Sequence, residues 1–262
     1  MIEETFGKLV FSANDAWMHL IEDVYRNGQY AHSRGRETME LLGRSVVVDM
    51  AKPIVSNKAR RIGYNFMLAE AAWIILGKND VKSIAPFSAK ISYFSDDGIY
   101  FQGAYGPQIV QQLPYIISCF KKDLFTRQAV ISIWKPSPPD SKDIPCTITC
   151  QFMVRANLLH AFVNMRSSDC WLGVPYDWFN FSMLAKYVTL ILNETIGSTV
   201  DLGFLHFNAA SQHIYTSDFP GIVECISHTD VEESTIEYIT EISNAPDFIL
   251  NLRQALLNGP SK

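Results

Sequence analysis

Ile144-Pro-Cys-Thr-Ile-Thr-Cys150-Gln-Phe-Met-Val154-Arg-Ala-Asn157-Leu-Leu-His-Ala-Phe-Val-Asn-Met165-Arg166-Ser-Ser-Asp169 is the stretch on which the fold turns. Two runs rich in β-branched and aromatic residues, Thr147–Val154 and Leu158–Met165, flank a turn at Arg155-Ala-Asn157, which predicts a β-hairpin. Gln128–Trp134 is a further strand-like run, and Pro136, Pro138 and Pro139 make the segment between them a rigid loop. Outside this centre the period changes from two to that of a helix. Ala16, Trp17, Leu20, Ile21 and Val24 recur at helical spacing over residues 12–27, with Gly28 as a stop. Met67-Leu-Ala-Glu-Ala-Ala-Trp-Ile-Ile-Leu76 reads as a helix apolar on nearly every face and ended by Gly77, and further helices are predicted over 178–194 and 247–258. Residues 45–50 read as a buried strand. This mixture predicts an α+β protein with a mostly antiparallel or mixed sheet.

The chain has 262 residues, of which 48% are hydrophobic and 19% charged, so a single folded domain spanning 1–262 is expected. No apolar run approaches the ~18–20 residues that cross a bilayer, and Met1-Ile-Glu-Glu lacks the basic start of a secretory signal. A cytoplasmic protein with no membrane partner follows as the expectation. A net charge of −5 argues against a nucleic-acid surface. The five cysteines, Cys119, Cys146, Cys150, Cys170 and Cys225, show no CxxC spacing, so neither a disulfide framework nor a bound metal is expected.

A few residues stand out chemically. Pro145-Cys146 opens a strand after a proline-containing loop, a place where a thiol can stand at a pocket rim; the plain alternative is a structural cysteine. Glu70 interrupts an apolar helix, where an ionised carboxylate is costly unless paired. Either it bonds Arg60 or Arg61, or its proton affinity is raised for proton transfer. Arg166 and Ser167 at a strand end could bind a phosphate or belong to a solvated loop. His213 and Tyr215 could hold a sugar hydroxyl, or His213 could be an ordinary buried histidine. The stretch Gly103-Ala-Tyr-Gly106 has no lysine or serine after it and is not a phosphate loop.

In this order, these segments resemble the thymidylate synthase superfamily. The resemblance rests on Ile144-Pro-Cys146 through Gln151-Phe152, Arg166-Ser-Ser-Asp169, Trp171-Leu-Gly-Val-Pro175 and His213-Ile-Tyr215. Glu70 with Trp73, Gly103-Ala-Tyr105-Gly106 and Thr126-Arg127 complete it, so that it spans residues 30–220. It implies a thymidylate-synthase-like fold whose sheets pack back to back in a homodimer. It further implies that Cys146 adds covalently to carbon 6 of a pyrimidine nucleoside monophosphate. Glu70 would manage proton transfers and Tyr105 would assist loss of the carbon 5 proton. Arg166 and Ser167 would bind the 5′-phosphate, with Arg127 reaching in from the partner subunit. A further phosphate arginine falls near Ser33, with Arg34 or Arg36 as its bearer. His213 and Tyr215 would hold the 3′-hydroxyl, and Asp169 and Trp73 would contact the folate, 5,10-methylenetetrahydrofolate.

The departures from the synthase pattern narrow the expectation. Asp177 stands where methylating synthases carry asparagine, Thr147 replaces the histidine after the cysteine, and Gln128 replaces the second arginine of the shared pair. Residues 78–102 lack the paired tryptophans, and Asn258-Gly-Pro-Ser-Lys262 does not resemble the closing tail. A carboxyl group can share a proton with cytosine's ring nitrogen while accepting from its amino group. These features resemble the cytidylate and deoxycytidylate hydroxymethyltransferase branch, in which water captures the transferred carbon. The alternative within the fold is a methylating synthase acting on dUMP or dCMP. Two other classes are weaker: a Cys146–His213 hydrolase lacks any oxyanion motif, and a binding protein without catalysis would not need Cys146, Glu70, Tyr105 and Asp177 together.

Overall fold

The computed structural model describes residues 11–33, 35–197 and 199–258. Its elements are α1 (Ala13–Asn27), β1 (Gln29–Ser33), β2 (Arg36–Asp49), α2 (Tyr64–Ile75), α3 (Val81–Ile84), α4 (Tyr105–Lys122), β3 (Val130–Ser132), β4 (Thr147–Arg155), β5 (Leu158–Met165), β6 (Ser168–Asp169), α5 (Val174–Ile196), β7 (Asp201–Tyr215), α6 (Phe219–Ser227) and α7 (Ala245–Leu257). The strands form one sheet in the order β1-β2-β7-β5-β4-β3, with β6 pairing β7. Every neighbouring pair is antiparallel except β5–β7 and β6–β7. Parallel neighbours need a long crossover, and α5 supplies it between β5 and β7.

The central hairpin forms as expected. Ala156 and Asn157 have φ of 51° and 60°, the left-handed pair that a two-residue turn demands and that matches the twist of the strands it joins. β4 continues one residue further than the sequence pattern indicated, to Arg155, while the third strand keeps only Val130–Ser132 of the predicted 128–134. Along β4, Cys150, Phe152 and Val154 are buried while Gln151 is not, so alternate side chains face the helices. α1 begins where Ser12 accepts the Asp15 backbone N–H and buries Trp17, Ile21 and Val24 on one stripe. α2 buries Met67, Leu68, Ala69, Ala71 and Ala72 around its circumference, which is why its one carboxylate is conspicuous.

α4 has no counterpart among the sequence-based expectations. Pro107 lies in its first turn, where no intrahelical N–H is required, and Pro114 lies inside it. The interior proline removes a hydrogen bond, yet Ile109, Ile116, Ile117 and Phe120 are buried at helical spacing and hold the segment helical. α5 also starts earlier than expected, at Val174, because Pro175 sits at its first turn with φ already suited to a helix. That four-residue extension carries Asp177 into the helix. Among the described residues, no helix is long and apolar enough to cross a membrane.

Candidate active site

A cleft of about 350 Å³ opens where the N-termini of α4 and α5, the side of α2 and the loop before β4 converge. Its wall includes Glu70 and Trp73 from α2, Tyr105 from α4, Cys146 and Arg166 from the hairpin strands' ends, and Asp177 and Asn180 from α5. These residues come from four separate segments, and the parallel β5–α5–β7 crossover brings the last two over the hairpin. Gly103 lets the loop before α4 close in. Its N–H donates to the Asp143 carboxylate at 2.7 Å, and a Cβ there would stand 2.6 Å from the Asp143 carbonyl oxygen. That close approach seats Tyr105 beside the Pro145–Cys146 segment.

Cys146 is half-buried, whereas the other four cysteines are buried. Its sulfur lies 3.8 Å from Ser167 Oγ, and its carbonyl accepts the Arg166 backbone N–H at 2.8 Å. The Arg166 guanidinium donates to the carbonyls of Pro145 at 2.9 Å and Ile144 at 3.0 Å, and reaches Ser167 Oγ at 3.3 Å. The arginine thus staples the loop that leads into Cys146, with one guanidinium nitrogen on the same Ser167 hydroxyl that the thiol approaches. Cys150 and Cys170 are pushed up out of the reactive range by burial, and Cys225 is raised to about 11 by the same cause.

Glu70 makes no ion pair with Arg60 or Arg61. Its Oε2 instead accepts from Asn180 Nδ2 at 2.8 Å, and Arg60 is spent on the carbonyl of Trp171, at 3.2 Å and 2.7 Å, with its guanidinium over that ring. Burial raises the Glu70 carboxyl to about 7, opposed by the Asn180 bond. Asp177 is pushed well above the usual carboxylate range by burial first, then by the like charges of Glu70 and Asp169. Burial likewise raises the Tyr105 hydroxyl, with Asp177 and Cys146 adding to it and Thr147 opposing. Its ring stacks on Phe181 at 6.3 Å.

The Glu70 shift has a measurable consequence. The folded state binds this proton more tightly than the unfolded chain, where the carboxyl titrates near 4.5. The stability it contributes is complete below that value and is lost as pH rises through about 7. Glu70→Gln should therefore unfold like the parent at about pH 4 and be roughly 2–3 kcal/mol more stable at about pH 8, measured by urea unfolding at both pH values. An equal effect at both would contradict the shift.

The remaining expected site residues lie at different distances from the cleft. Trp73 is on its wall, with the indole N–H on the Asp80 carbonyl at 3.1 Å. Ser167 touches Cys146 from the next strand end. Asp169 accepts the backbone N–H groups of Trp171 and Leu172, at 2.8 Å and 3.0 Å, and pairs in register with His213 across β6–β7. His213 and Tyr215 sit together at the end of β7, their rings 5.4 Å apart, with the Arg36 guanidinium 3.6 Å over Tyr215. Arg36 rather than Arg34 can therefore be described at that end; Arg34 lies outside the described residues. Arg127 is exposed and not brought to the cleft: its carbonyl accepts from Gln151, on the sheet face turned away from the buried side chains. Asn180 was absent from the sequence expectations. The available signal was its spacing, since three residues after Asp177 on a helix is the same face.

The thymidylate synthase family model matches residues 15–251. The chain is 27% identical over 226 residues to the deoxyuridylate hydroxymethyltransferase of Bacillus phage SP01, a match covering 78% of this chain and 57% of that protein. It is 32% identical over 160 residues to the deoxyuridylate hydroxymethyltransferase of Pseudomonas phage M6, covering 57% of this chain and 44% of that protein. Thymidylate synthase 1 of Bacillus subtilis (strain 168) is 23% identical over 230 residues, with 82% and 79% covered. The match thus spans about half the length of the two phage relatives.

Proposed function

The chain belongs to the thymidylate synthase family, and on that premise we propose that it is a hydroxymethyltransferase acting on carbon 5 of a cytosine nucleotide, dCMP or CMP. The observation that carries the choice of base is Asp177, a carboxyl buried in the cleft that holds Cys146, whose proton affinity burial raises well above the usual carboxylate range. A protonated carboxyl presents one donor and one acceptor. Cytosine's ring nitrogen can take that proton outright, whereas uracil's already carries one.

When Cys146 Sγ bonds to carbon 6, the carbon 5–carbon 6 double bond opens and negative charge moves toward the ring nitrogen. Asp177 meets it with a proton. Tyr105, beside Cys146, assists removal of the carbon 5 proton, and Glu70 serves as the proton carrier, its affinity matched to neutral pH. Glu70 can also direct water onto the transferred carbon, which makes the product a hydroxymethyl rather than a methyl group. Trp73, Ile74, Ile91, Phe94 and Phe101 form an apolar wall of the same cleft, a surface suited to the flat ring system of a folate. When bound there, 5,10-methylenetetrahydrofolate would supply the one-carbon unit. Arg166 and Ser167 are the phosphate ligands in this reading, His213 and Tyr215 hold the sugar, Asp169 contacts the pterin, and Arg127 serves the site of a second subunit in a homodimer.

A second reading, hydroxymethylation of dUMP, is favoured by the names of the two phage relatives. One assay separates the readings. The protein is incubated with methylenetetrahydrofolate and CMP, dCMP, UMP or dUMP, and the products are weighed. A hydroxymethyl group gained by a cytosine nucleotide, without the absorbance rise of dihydrofolate, is the expected result. Turnover confined to uracil nucleotides would reject the base assignment, and a methyl product would reject water capture.

A further inference from the structure

We propose that Asn180 is a positioning residue that decides which of the two cleft carboxyls carries the proton. It holds Glu70 as the ionised member and leaves the proton on Asp177, an inference that rests on the base-reading role given to Asp177 above.

The geometry begins with α5. Asp177 and Asn180 are three residues apart and share one face of that helix, and α2 packs against it so that Glu70 meets them. Asn180 is 4% exposed, and its Nδ2 donates to Glu70 Oε2 at 2.8 Å. Among the described residues its Oδ1 has no hydrogen-bond partner, and it is buried. A buried acceptor left in that condition carries a free-energy cost, and turning the amide over would only exchange it for an unpaired NH2 group, so the bond at the Glu70 end decides the orientation. The strength of that bond depends on charge. An N–H facing an ionised carboxylate makes a charge-assisted bond, whereas a flipped amide would turn its oxygen toward that carboxylate. The flipped amide suits only a protonated Glu70. Amide orientation and Glu70 protonation are therefore coupled, and Nδ2 facing Oε2 at 2.8 Å favours the ionised form.

Asp177 has the opposite surroundings. Among the described residues no side chain donates to its carboxyl, while Glu70 from α2 and Asp169 from β6 both repel its ionised form. The other titratable groups on the wall are Tyr105 from α4, Lys142, Asp143 and Cys146 from the loop before β4, and Arg166 after β5. The Arg166 guanidinium is committed to the carbonyls of Ile144 and Pro145, and Asp143 to Gly103 N–H, so neither replaces the bond that Asn180 makes. With one carboxyl given a donor and the other given two like charges, a single proton shared by the pair belongs on Asp177.

The test uses the full chain without nucleotide. Side-chain carboxyl carbons are labelled, titrated by NMR and assigned with Glu70→Gln and Asp177→Asn. In Asn180→Leu, close in volume and without a donor, the Glu70 midpoint should rise by about 1 pH unit or more. The Asp177 midpoint should fall at the same time, because its neighbour no longer ionises first. Asn180→Asp, isosteric with the parent, should move the Glu70 midpoint the same way. The acid limb of kcat/KM should follow that of Glu70. A merely structural asparagine would not move two carboxyls in opposite directions. A Glu70 midpoint unchanged within about 0.3 pH unit in either folded variant, or both midpoints moving together in Asn180→Leu, would overturn the inference. Because the titration needs no substrate, absence of activity on cytosine nucleotides would fail the functional reading while leaving this one decided by the midpoints.

Discussion

Replacing Cys146 by serine should lower turnover on the order of 10⁴-fold or more while nucleotide affinity stays within a few-fold. The reason lies in the nucleophile, since a hydroxyl in this position stays protonated at neutral pH where a thiol can ionise. The Arg166 guanidinium, bonded to the carbonyls of Ile144 and Pro145, fixes the segment that carries the thiol. Serine preserves the shape of the site, so binding and catalysis separate cleanly. Isothermal titration with nucleotide and single-turnover kinetics on the same preparation check both halves. A variant with more than about a hundredth of parent activity would exclude covalent addition by Cys146. A companion measurement uses the burial of Cys119, Cys150, Cys170 and Cys225. Iodoacetamide should label Cys146 first, and bound nucleotide should protect it.

Asp177→Asn is expected to move base preference from cytosine toward uracil by roughly 10²-fold or more in the ratio of kcat/KM values. The amide keeps the shape but has no proton to give to a ring nitrogen. A site matched to one hydrogen-bond pattern leaves a buried group unpaired when the other base is offered, and that mismatch is what discriminates. The substitution puts a neutral amide where burial, Glu70 and Asp169 all disfavour a charge, so folding stability should not fall with it. Competition between dCMP and dUMP in one vessel, with products quantified by mass, reads the ratio directly. An unchanged preference would refute the base-reading role of Asp177.

Much of the candidate site is legible in the sequence, because its residues break local rules. Glu70 is a carboxylate in an apolar helix, and Cys146 follows a proline at a strand start. The hairpin was legible from period-two runs around Ala156-Asn157, and α1, α2 and α7 from helical spacing between capping residues. α4 was not legible, since two prolines mask a pattern that packing of Ile109, Ile116 and Phe120 makes helical. The rest of what the chain alone could not say concerns partners in space. Sequence spacing offered Arg60 or Arg61 to Glu70, one or two turns away, because only neighbours along a helix are visible in it. The folded chain instead sends Arg60 to Trp171 and brings Asn180 from 110 residues away. The hydrogen bond that tunes Glu70, and the burial and like charges that raise the Asp177 carboxyl, exist only once α2 and α5 are packed together. Proton affinities depend on burial and neighbours within a few ångströms, and neither is written in the order of residues. Identity and chemistry of Cys146, Glu70 and Asp177 belong to the sequence, while their protonation belongs to the fold.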